Sequence, residues 1–309
     1  MNNKGRPIAR RTLLIGTGIW AANICLGKFV QAQALRESSM TQPDLPPMMT
    51  LAFARTYEKT ATRITAPISV AALERLGRIG RGVRLLDIGA GTGALSIPAA
   101  YSGASVIAID IAPGMVEVLS EHLAPLPDAT ARVMDGEALT FADGEFDMTA
   151  SIVGVSIFKD WRRGLSEQVR VTRPNGKAVL ATWRTMPGGG PFVIMAQAMR
   201  AIIPDRAPPP APEGFLVLSD PARMREAMKD SGLKDVTVEE IEAEWNGPTG
   251  AAYLEQLGDL HAYMPAYAAL GADERRRVDE AILAAVDRQT VNGEIVLKTS
   301  VVLGTGTKV

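Results

Sequence analysis

Residues that build thiolate, redox and histidine-rich sites are scarce in this sequence. Cys25 is the one cysteine among 309 residues, and His122 and His261 are the two histidines. A single cysteine excludes an internal disulfide and a zinc site made of thiolates. Two histidines argue against a histidine-rich catalytic centre, so we expect no metal. The sequence also contains no G-x-S-x-G elbow and no G-x-x-x-x-G-K-[ST] loop, which argues against the corresponding hydrolases and P-loop enzymes.

An excess of charge of one sign is also absent, since 33 Lys and Arg residues balance 34 Asp and Glu residues. The charge is unevenly distributed, because residues 1–34 carry five basic side chains and no acidic one. The rest of the chain is therefore net acidic and has no general attraction for phosphates, so we expect no nucleic-acid partner. A hydrophobic content of 47% with 22% charged residues is typical of a globular chain that can bury a sizeable core.

The N-terminal segment has the pattern of an export leader. Arg10 and Arg11 precede an uncharged apolar run over residues 13–27, and Ala32-Gln33-Ala34 forms a small-x-small cleavage pattern. This combination resembles a twin-arginine secretory signal. The run is shorter than the ~20 residues of a membrane span, so we expect no stable span. The alternative is a translation start at Met40. We therefore expect residues 40–309 to form the domain, and residues 1–39 to be a leader in the first case and untranslated in the second.

The middle of the chain alternates short β-branched runs with helical segments. Strands are predicted at residues 83–88, 105–110, 131–134, 147–153 and 177–183, with helices at 93–102, 113–123 and 161–172. Strands separated by helices predict an α/β fold with a doubly wound parallel sheet, because a parallel connection needs a crossover. Ligands of such sheets bind outside the C-terminal ends of the strands. After residue 184 we predict further helices, including 249–269 (broken near Pro265) and 272–289, and strands at 236–245 and 294–303.

A glycine-rich turn follows the first predicted strand, where residues 85–94 read L-L-D-I-G-A-G-T-G-A. Glycines at a strand-to-helix turn allow a tight bend and let a ligand approach the backbone closely. The N-terminus of the following helix offers free N–H groups to an anionic group. This pattern alone also fits a dinucleotide-binding enzyme.

Acidic residues follow the next two predicted strands. Asp110 ends the second strand, where a carboxylate can accept both ribose hydroxyls of an adenosine. Asp135-Gly136-Glu137-Ala138 follows the third strand, where an acid can accept a hydrogen bond from an adenine amine. Each acid could also be a solvated loop residue. Since all these features lie at strand C-termini, one ligand could contact them all.

These motifs resemble the class I S-adenosylmethionine-dependent methyltransferases, in particular the small-molecule branch that includes quinone-biosynthesis enzymes. The resemblance covers about residues 51–183 and includes R-V-T-R-P-N-G-K over residues 170–177, where Asn175 replaces the commoner glycine. It implies a Rossmann-like, mostly parallel sheet with an antiparallel last strand and a helical lid, and S-adenosyl-L-methionine as the cofactor. The cofactor-binding residues that it implies are Asp87, Gly89, Ala90, Gly91, Asp110, Ile111, Met115, Asp135, Gly136, Glu137, Ala138 and Ser151.

Two other functions fit part of the pattern. An NAD(P)-dependent oxidoreductase would explain the glycines and Asp110, but not Asp87, the loop at Asp135 or the R-P-N-G turn. A protein that binds the cofactor without catalysing a reaction fits the same motifs as the methyltransferase.

The predicted substrate region is C-terminal, with a cofactor core over residues 51–184 and a lid region over residues 185–309. Tyr253, Leu257, His261 and Met264 share one stripe of a predicted helix. The stripe fits either a helix packed on the sheet or a lid over an apolar acceptor. His261 is a candidate base because its ordinary pKa is near neutral pH, and Tyr57 is a candidate contact to cofactor or acceptor. A methyl acceptor is the expected partner; its identity and the oligomeric state do not follow from the sequence.

The expected location follows from the cofactor. The methyl donor is made in the cytoplasm, and each turnover consumes one molecule. We therefore expect the useful form to be cytoplasmic and to begin near Met40, with a periplasmic protein as the alternative.

Overall fold

A computed structural model describes residues 45–309 of the chain. Within this part, seven strands form one sheet in the order β3-β2-β1-β4-β5-β7-β6. The strands are β1 (Arg84–Ile88), β2 (Ser105–Asp110), β3 (Ala129–Val133), β4 (Phe146–Ile152), β5 (Thr172–Trp183), β6 (Leu233–Gly247) and β7 (Ile295–Lys308). Strands β1 to β5 are parallel, whereas β7 runs antiparallel to both β5 and β6.

Helices cover both faces of this sheet. They are α1 (Leu51–Thr60), α2 (Thr62–Leu76), α3 (Ser96–Tyr101), α4 (Pro113–Leu123), α5 (Trp161–Val171), α6 (Pro191–Ile202), α7 (Glu213–Leu218), α8 (Pro221–Asp230), α9 (Ala251–Ala262), α10 (Pro265–Ala268) and α11 (Ala272–Gln289). The largest buried cluster joins one face of the sheet to α1–α4, α6, α9 and α11, and a second cluster joins the other face to α5, α7 and α8. The doubly wound α/β fold predicted from the sequence is confirmed.

Local sequence explains where several elements begin. The Asp160 side chain accepts a hydrogen bond from the Arg163 amide at the start of α5. The Asp220 side chain does the same for two amides of α8, in which Pro221 occupies the first turn. Such caps satisfy N–H groups that have no partner within the helix. In β1, residues 85–88 are buried on both faces, as expected of a central parallel strand.

Some predicted boundaries are wrong. Strand β5 begins at Thr172 instead of residue 177, because Thr172 already pairs with Phe146 and the R-P-N-G residues form an irregularity before Lys177 pairs with Met148. Strands β6 and β7 are longer than predicted because they pair along most of their length. The predicted helix at 93–102 begins only at Ser96, since residues 91–95 form a turn. The break near Pro265 is confirmed, and Asn175 has the left-handed φ of +60° expected of a glycine substitute.

Arg170 on α5 holds the loop between β3 and β4. Its guanidinium donates hydrogen bonds to the carbonyls of Leu139 and Phe141 at 3.0 and 2.8 Å. It also forms ion pairs with Glu167 and Asp143, each at 2.7 Å. This loop begins at the C-terminal end of β3, so the contacts fix the backbone that carries the predicted adenine-side acids.

No helix within residues 45–309 combines the length and hydrophobicity needed to cross a membrane. The predicted leader at residues 1–39, with its twin-arginine pattern, lies outside the described residues.

Candidate functional site

The glycine-rich turn lies at the C-terminal end of β1 and is tied to β2. The amides of Gly89 and Ala90 both donate to the Ile109 carbonyl at 2.9 Å. Gly89 and Gly91 have φ values of +71° and +55°, a region that side chains with a Cβ rarely adopt. The sequence therefore needs glycine here for the backbone turn, and the turn presents its main chain to the cleft.

Asp110, the last residue of β2, organises this turn. One carboxylate oxygen accepts the Gly91 amide at 2.8 Å and the other accepts the Ala112 amide at 2.9 Å. Burial raises the pKa of Asp110, while the hydrogen bonds from these amides oppose the rise. Because each carboxylate oxygen has two acceptor sites, both oxygens can still accept one hydroxyl. Asp110 is thus suited to hold a diol.

Asp87 lies beneath the same turn, with only 1% of its surface exposed. The Ser96 hydroxyl donates to its carboxylate at 2.6 Å. Burial raises the pKa of Asp87 to about 7, with the Asp110 charge adding to the effect of burial. A buried carboxylate of this kind favours a cationic partner, which would restore the ionised form.

A cavity of about 40 Å³ joins the glycine turn to α1 and α2. Asp87, Gly89, Ala90 and Gly91 line one side, and Ile152 at the end of β4 lines another. The helices contribute Tyr57, Thr65 and Ser69. The pKa of Tyr57 is raised to about 12, mainly by burial and to a smaller extent by the negative charge of Asp110. The Tyr57 hydroxyl therefore stays protonated at neutral pH.

The predicted adenine-side residues form a tight turn after β3. The Asp135 carboxylate accepts the Glu137 amide at 2.8 Å, and the Glu137 carboxylate accepts the Asp160 amide at 3.0 Å. Gly136 is buried, and a Cβ on it would lie 2.6 Å from the Phe158 ring. Asp135 and Ala138 are exposed. The structure thus brings this loop to the same sheet edge, where Glu137 joins it to the start of α5.

Three other predicted cofactor contacts differ in their surroundings. Ile111 is 53% exposed next to Asp110, where an apolar surface could lie against a ligand. Met115 is buried in the core, where α4 packs. The buried Ser151 hydroxyl donates to the Ile88 carbonyl and accepts from the Val155 amide. Ser151 therefore joins β1 to the loop after β4 from beneath the site.

His261 lies away from the cavity that contains Tyr57. It is fully buried on α9, and its ring lies 5.9 Å from Tyr253 and 5.7 Å from Tyr267 between centroids. Burial lowers the pKa of His261 to about 4. Leu257 on the same stripe is buried as well, so the stripe packs on the body of the domain. The structure therefore brings Tyr57, but not His261, to the glycine turn.

An aromatic cluster beside the site was not anticipated. Phe53 lies 5.7 Å from Tyr57 and 5.0 Å from Tyr263 between ring centroids. Thr65 and Ser69 were also missed, although the spacing of the hydroxyl side chains Thr62, Thr65 and Ser69 along one helix was a usable signal. In residues 45–309, no group of three His, Cys, Asp or Glu side chains is placed to hold a metal ion.

Comparison with known proteins agrees with this geometry. Residues 86–180 match the family model of a methyltransferase domain. Over 157 residues the chain is 34% identical to an uncharacterised protein of Mycobacterium tuberculosis. This match covers 50% of this chain and 57% of that protein. Over 123 residues it is 38% identical to a demethylmenaquinone methyltransferase of Renibacterium salmoninarum, covering 39% of this chain and 50% of that protein. The matches thus span about half the length of these relatives.

A solved structure extends the likeness of the fold. The phosphoethanolamine N-methyltransferase 2 of Haemonchus contortus, solved in complex with S-adenosyl-L-methionine, superposes with a TM-score of 0.51 at 18% identity. The match covers 85% of this chain and 58% of that chain. This likeness shows the fold, and the family model identifies residues 86–180 as a methyltransferase domain.

Proposed function

We propose that this chain transfers the methyl group of S-adenosylmethionine to a small apolar or aromatic molecule. The observation that carries the proposal is the position of Asp87, the glycine turn and Asp110 at the adjoining ends of β1 and β2. Such an edge is where parallel sheets bind their ligands.

The residues present fit the parts of this cofactor. The cavity at Asp87 suits the amino-acid end, which carries an ammonium group. Asp110 retains acceptor sites for the two ribose hydroxyls. The exposed side chain of Ile111 and the turn at Asp135 suit the adenine. At about 40 Å³ the cavity holds only the narrow end of such a molecule, so the remainder would lie along the open edge beside Asp110.

When bound, the cofactor supplies an electrophilic methyl group on a sulfonium. Transfer is an in-line displacement, so the main tasks of the chain are to align the acceptor and to exclude water. Tyr57 is placed for both tasks, since it lines the cavity and its protonated hydroxyl can donate a hydrogen bond. A base is needed only for an acceptor that starts protonated. His261 is buried away from the cavity, so the proposal retains Tyr57 alone as a candidate contact.

The acceptor side of the proposal rests on aromatic side chains. Phe53, Tyr57 and Tyr263 form a continuous cluster that joins α1 to the C-terminal end of α9. Pockets for apolar ligands are mostly lined by such side chains. Since the relative from Renibacterium salmoninarum is named a demethylmenaquinone methyltransferase, quinol-like rings are the first acceptor class to test.

The test is transfer of a labelled methyl group from S-adenosylmethionine to quinol-like and other aromatic acceptors. We expect transfer by the wild type, and a Tyr263→Ala variant with a larger loss of turnover than of cofactor affinity. Tyr263 contacts Phe53 and is not among the residues that line the cavity at the glycine turn, so its removal should affect the aromatic cluster more than the cofactor side.

Tyr101→Ala is the matched control, because Tyr101 is 69% exposed at the end of α3. It should leave turnover and affinity unchanged. If Tyr263→Ala weakened cofactor binding as much as turnover, the aromatic cluster would not be an acceptor wall.

A further inference from the structure

Helix α2 presents two different faces to the domain. Ile64, Ile68 and Leu76 are buried in the core at helical spacing. Thr62, Thr65 and Ser69 form a second stripe at spacings of three and four residues, on a neighbouring face. Thr65 and Ser69 line the cavity beneath the glycine turn. The polar stripe therefore forms the helical wall of the proposed cofactor site.

The hydroxyls of this stripe differ in what they bind. The Thr62 hydroxyl shares a hydrogen bond with the Thr92 hydroxyl at 2.7 Å. The Thr65 hydroxyl donates to the Thr62 carbonyl at 3.1 Å. The Ser69 hydroxyl is fully buried and has no hydrogen-bond partner in residues 45–309. A helical serine commonly donates to the carbonyl four residues earlier, so a free hydroxyl here is unusual.

An unpartnered buried hydroxyl is unfavourable unless a ligand or water satisfies it. Ser69 lines the same cavity as Asp87, and no Lys or Arg is among the lining residues. A ligand end that carries both an ammonium and a carboxylate would pair its ammonium with Asp87. Its carboxylate would then depend on hydroxyl and amide donors, because the cavity offers it no cationic side chain.

We propose that the Ser69 hydroxyl donates a hydrogen bond to the carboxylate of the amino-acid end of the cofactor. This inference rests on the proposed function, and it assigns to α2 a selectivity for ligands that carry the amino-acid group. A bound water is the competing occupant of a cavity of this size.

The test is calorimetric titration of the full chain and of Ser69→Ala with two ligands. S-Adenosylhomocysteine carries the amino-acid end, and methylthioadenosine lacks it. We expect Ser69→Ala to weaken binding of S-adenosylhomocysteine by about tenfold, the size expected for a lost hydrogen bond to a charged group. Binding of methylthioadenosine should be unchanged. The melting temperature without ligand should not fall, because the hydroxyl has no protein partner to lose.

Ser156→Ala is the matched control. Ser156 is also a fully buried serine, but its hydroxyl accepts from the Thr182 hydroxyl at 2.9 Å and lies outside the lining of the cavity. This variant should be less stable than the wild type, with an unchanged ratio of the two affinities. Ser69→Cys replaces the hydroxyl by a somewhat larger thiol that is a weaker donor, and should show the same selective loss if the alanine variant does not fold.

Two results would overturn the inference while leaving the proposed function intact. One is an unchanged affinity of Ser69→Ala for S-adenosylhomocysteine, as expected if a water occupies the cavity. The other is an equal loss for both ligands, as expected of a structural serine. A wild type that binds neither ligand would instead overturn the proposed function, and the inference with it.

Discussion

Gly91→Val is expected to fold and to lose most of its affinity for S-adenosylmethionine. Gly91 has a φ of +55°, where a β-branched residue costs about 1–2 kcal/mol. Such a cost lies within the stability of a typical domain. A Cβ at Gly91 would lie 4.0 Å from the Tyr57 ring, so valine meets no severe clash in the folded chain. Its methyl groups would instead fill the cavity that Gly91 lines.

The expected loss of affinity is about 10- to 100-fold, because overfilling a packed site costs roughly 1–3 kcal/mol. Calorimetric titration with S-adenosylmethionine measures this loss, with circular dichroism to verify folding. Gly250→Val is the matched control, since Gly250 has a φ of +57° and a Cβ added to it would have no neighbouring atom within 4 Å. The Gly250→Val variant should be less stable, because a φ of +57° with a ψ of −145° is a conformation that only glycine commonly adopts, and its affinity should be unchanged. Equal affinities of Gly91→Val and wild type would exclude the glycine turn from the site.

Asp110→Ala is expected to lower the affinity for S-adenosylhomocysteine by at least about tenfold. A hydrogen bond to a charged group contributes roughly 1.5–3 kcal/mol, and this carboxylate is proposed to accept two ribose hydroxyls. The variant should also melt at a lower temperature, because the Gly91 and Ala112 amides lose their acceptor. Asp110→Asn retains one acceptor oxygen and should melt closer to the wild type, while its affinity remains reduced.

The control for the change of charge is Asp128→Ala. Asp128 is exposed and precedes β3 at the opposite end of the sheet, where its main-chain carbonyl, not its side chain, bonds to the Val106 amide. The affinity of the Asp128→Ala variant for S-adenosylhomocysteine should equal that of the wild type. A folded Asp110→Asn with unchanged affinity would show that Asp110 serves only to hold the glycine turn.

The strand-end half of the site could be predicted because its parts are local in sequence. Gly89 and Gly91 directly follow a strand, and Asp110 ends the next one, so the known geometry of parallel sheets places them together. The residues that helices α1 and α2 contribute to the site could not be predicted together. Ser69 belongs to a helix whose docking on the sheet depends on contacts with residues far along the chain, and a polar stripe does not specify which surface it faces.

His261 illustrates a related ambiguity. Helical spacing groups Tyr253, Leu257 and His261 on one face, but a face that packs on the core and a face that covers a ligand have the same periodicity. In the structure Tyr253, Leu257 and His261 are all buried, so this face of the helix packs on the core. Only the three-dimensional packing could distinguish the two interpretations, because both need large, mostly apolar side chains.

The end of β7 was missed for a different reason. Gly304 and Gly306 weaken the strand pattern, so the predicted strand ends at residue 303. In the structure these glycines admit close neighbours, since a Cβ on Gly304 would lie 2.5 Å from the Met228 sulfur and one on Gly306 would lie 2.9 Å from the Leu233 Cβ. The close approach of Met228 on α8 to Gly304, and of Leu233 on β6 to Gly306, is not visible in local sequence preference.

We propose that the edge formed by Asp87, the glycine turn and Asp110 binds S-adenosylmethionine and discriminates against dinucleotides. Calorimetric titration of the full chain with S-adenosylmethionine, S-adenosylhomocysteine and NAD tests it most directly. We expect one site per chain for each of the first two ligands and no measurable binding of NAD. Binding of NAD without measurable affinity for S-adenosylmethionine would contradict this claim and favour an oxidoreductase.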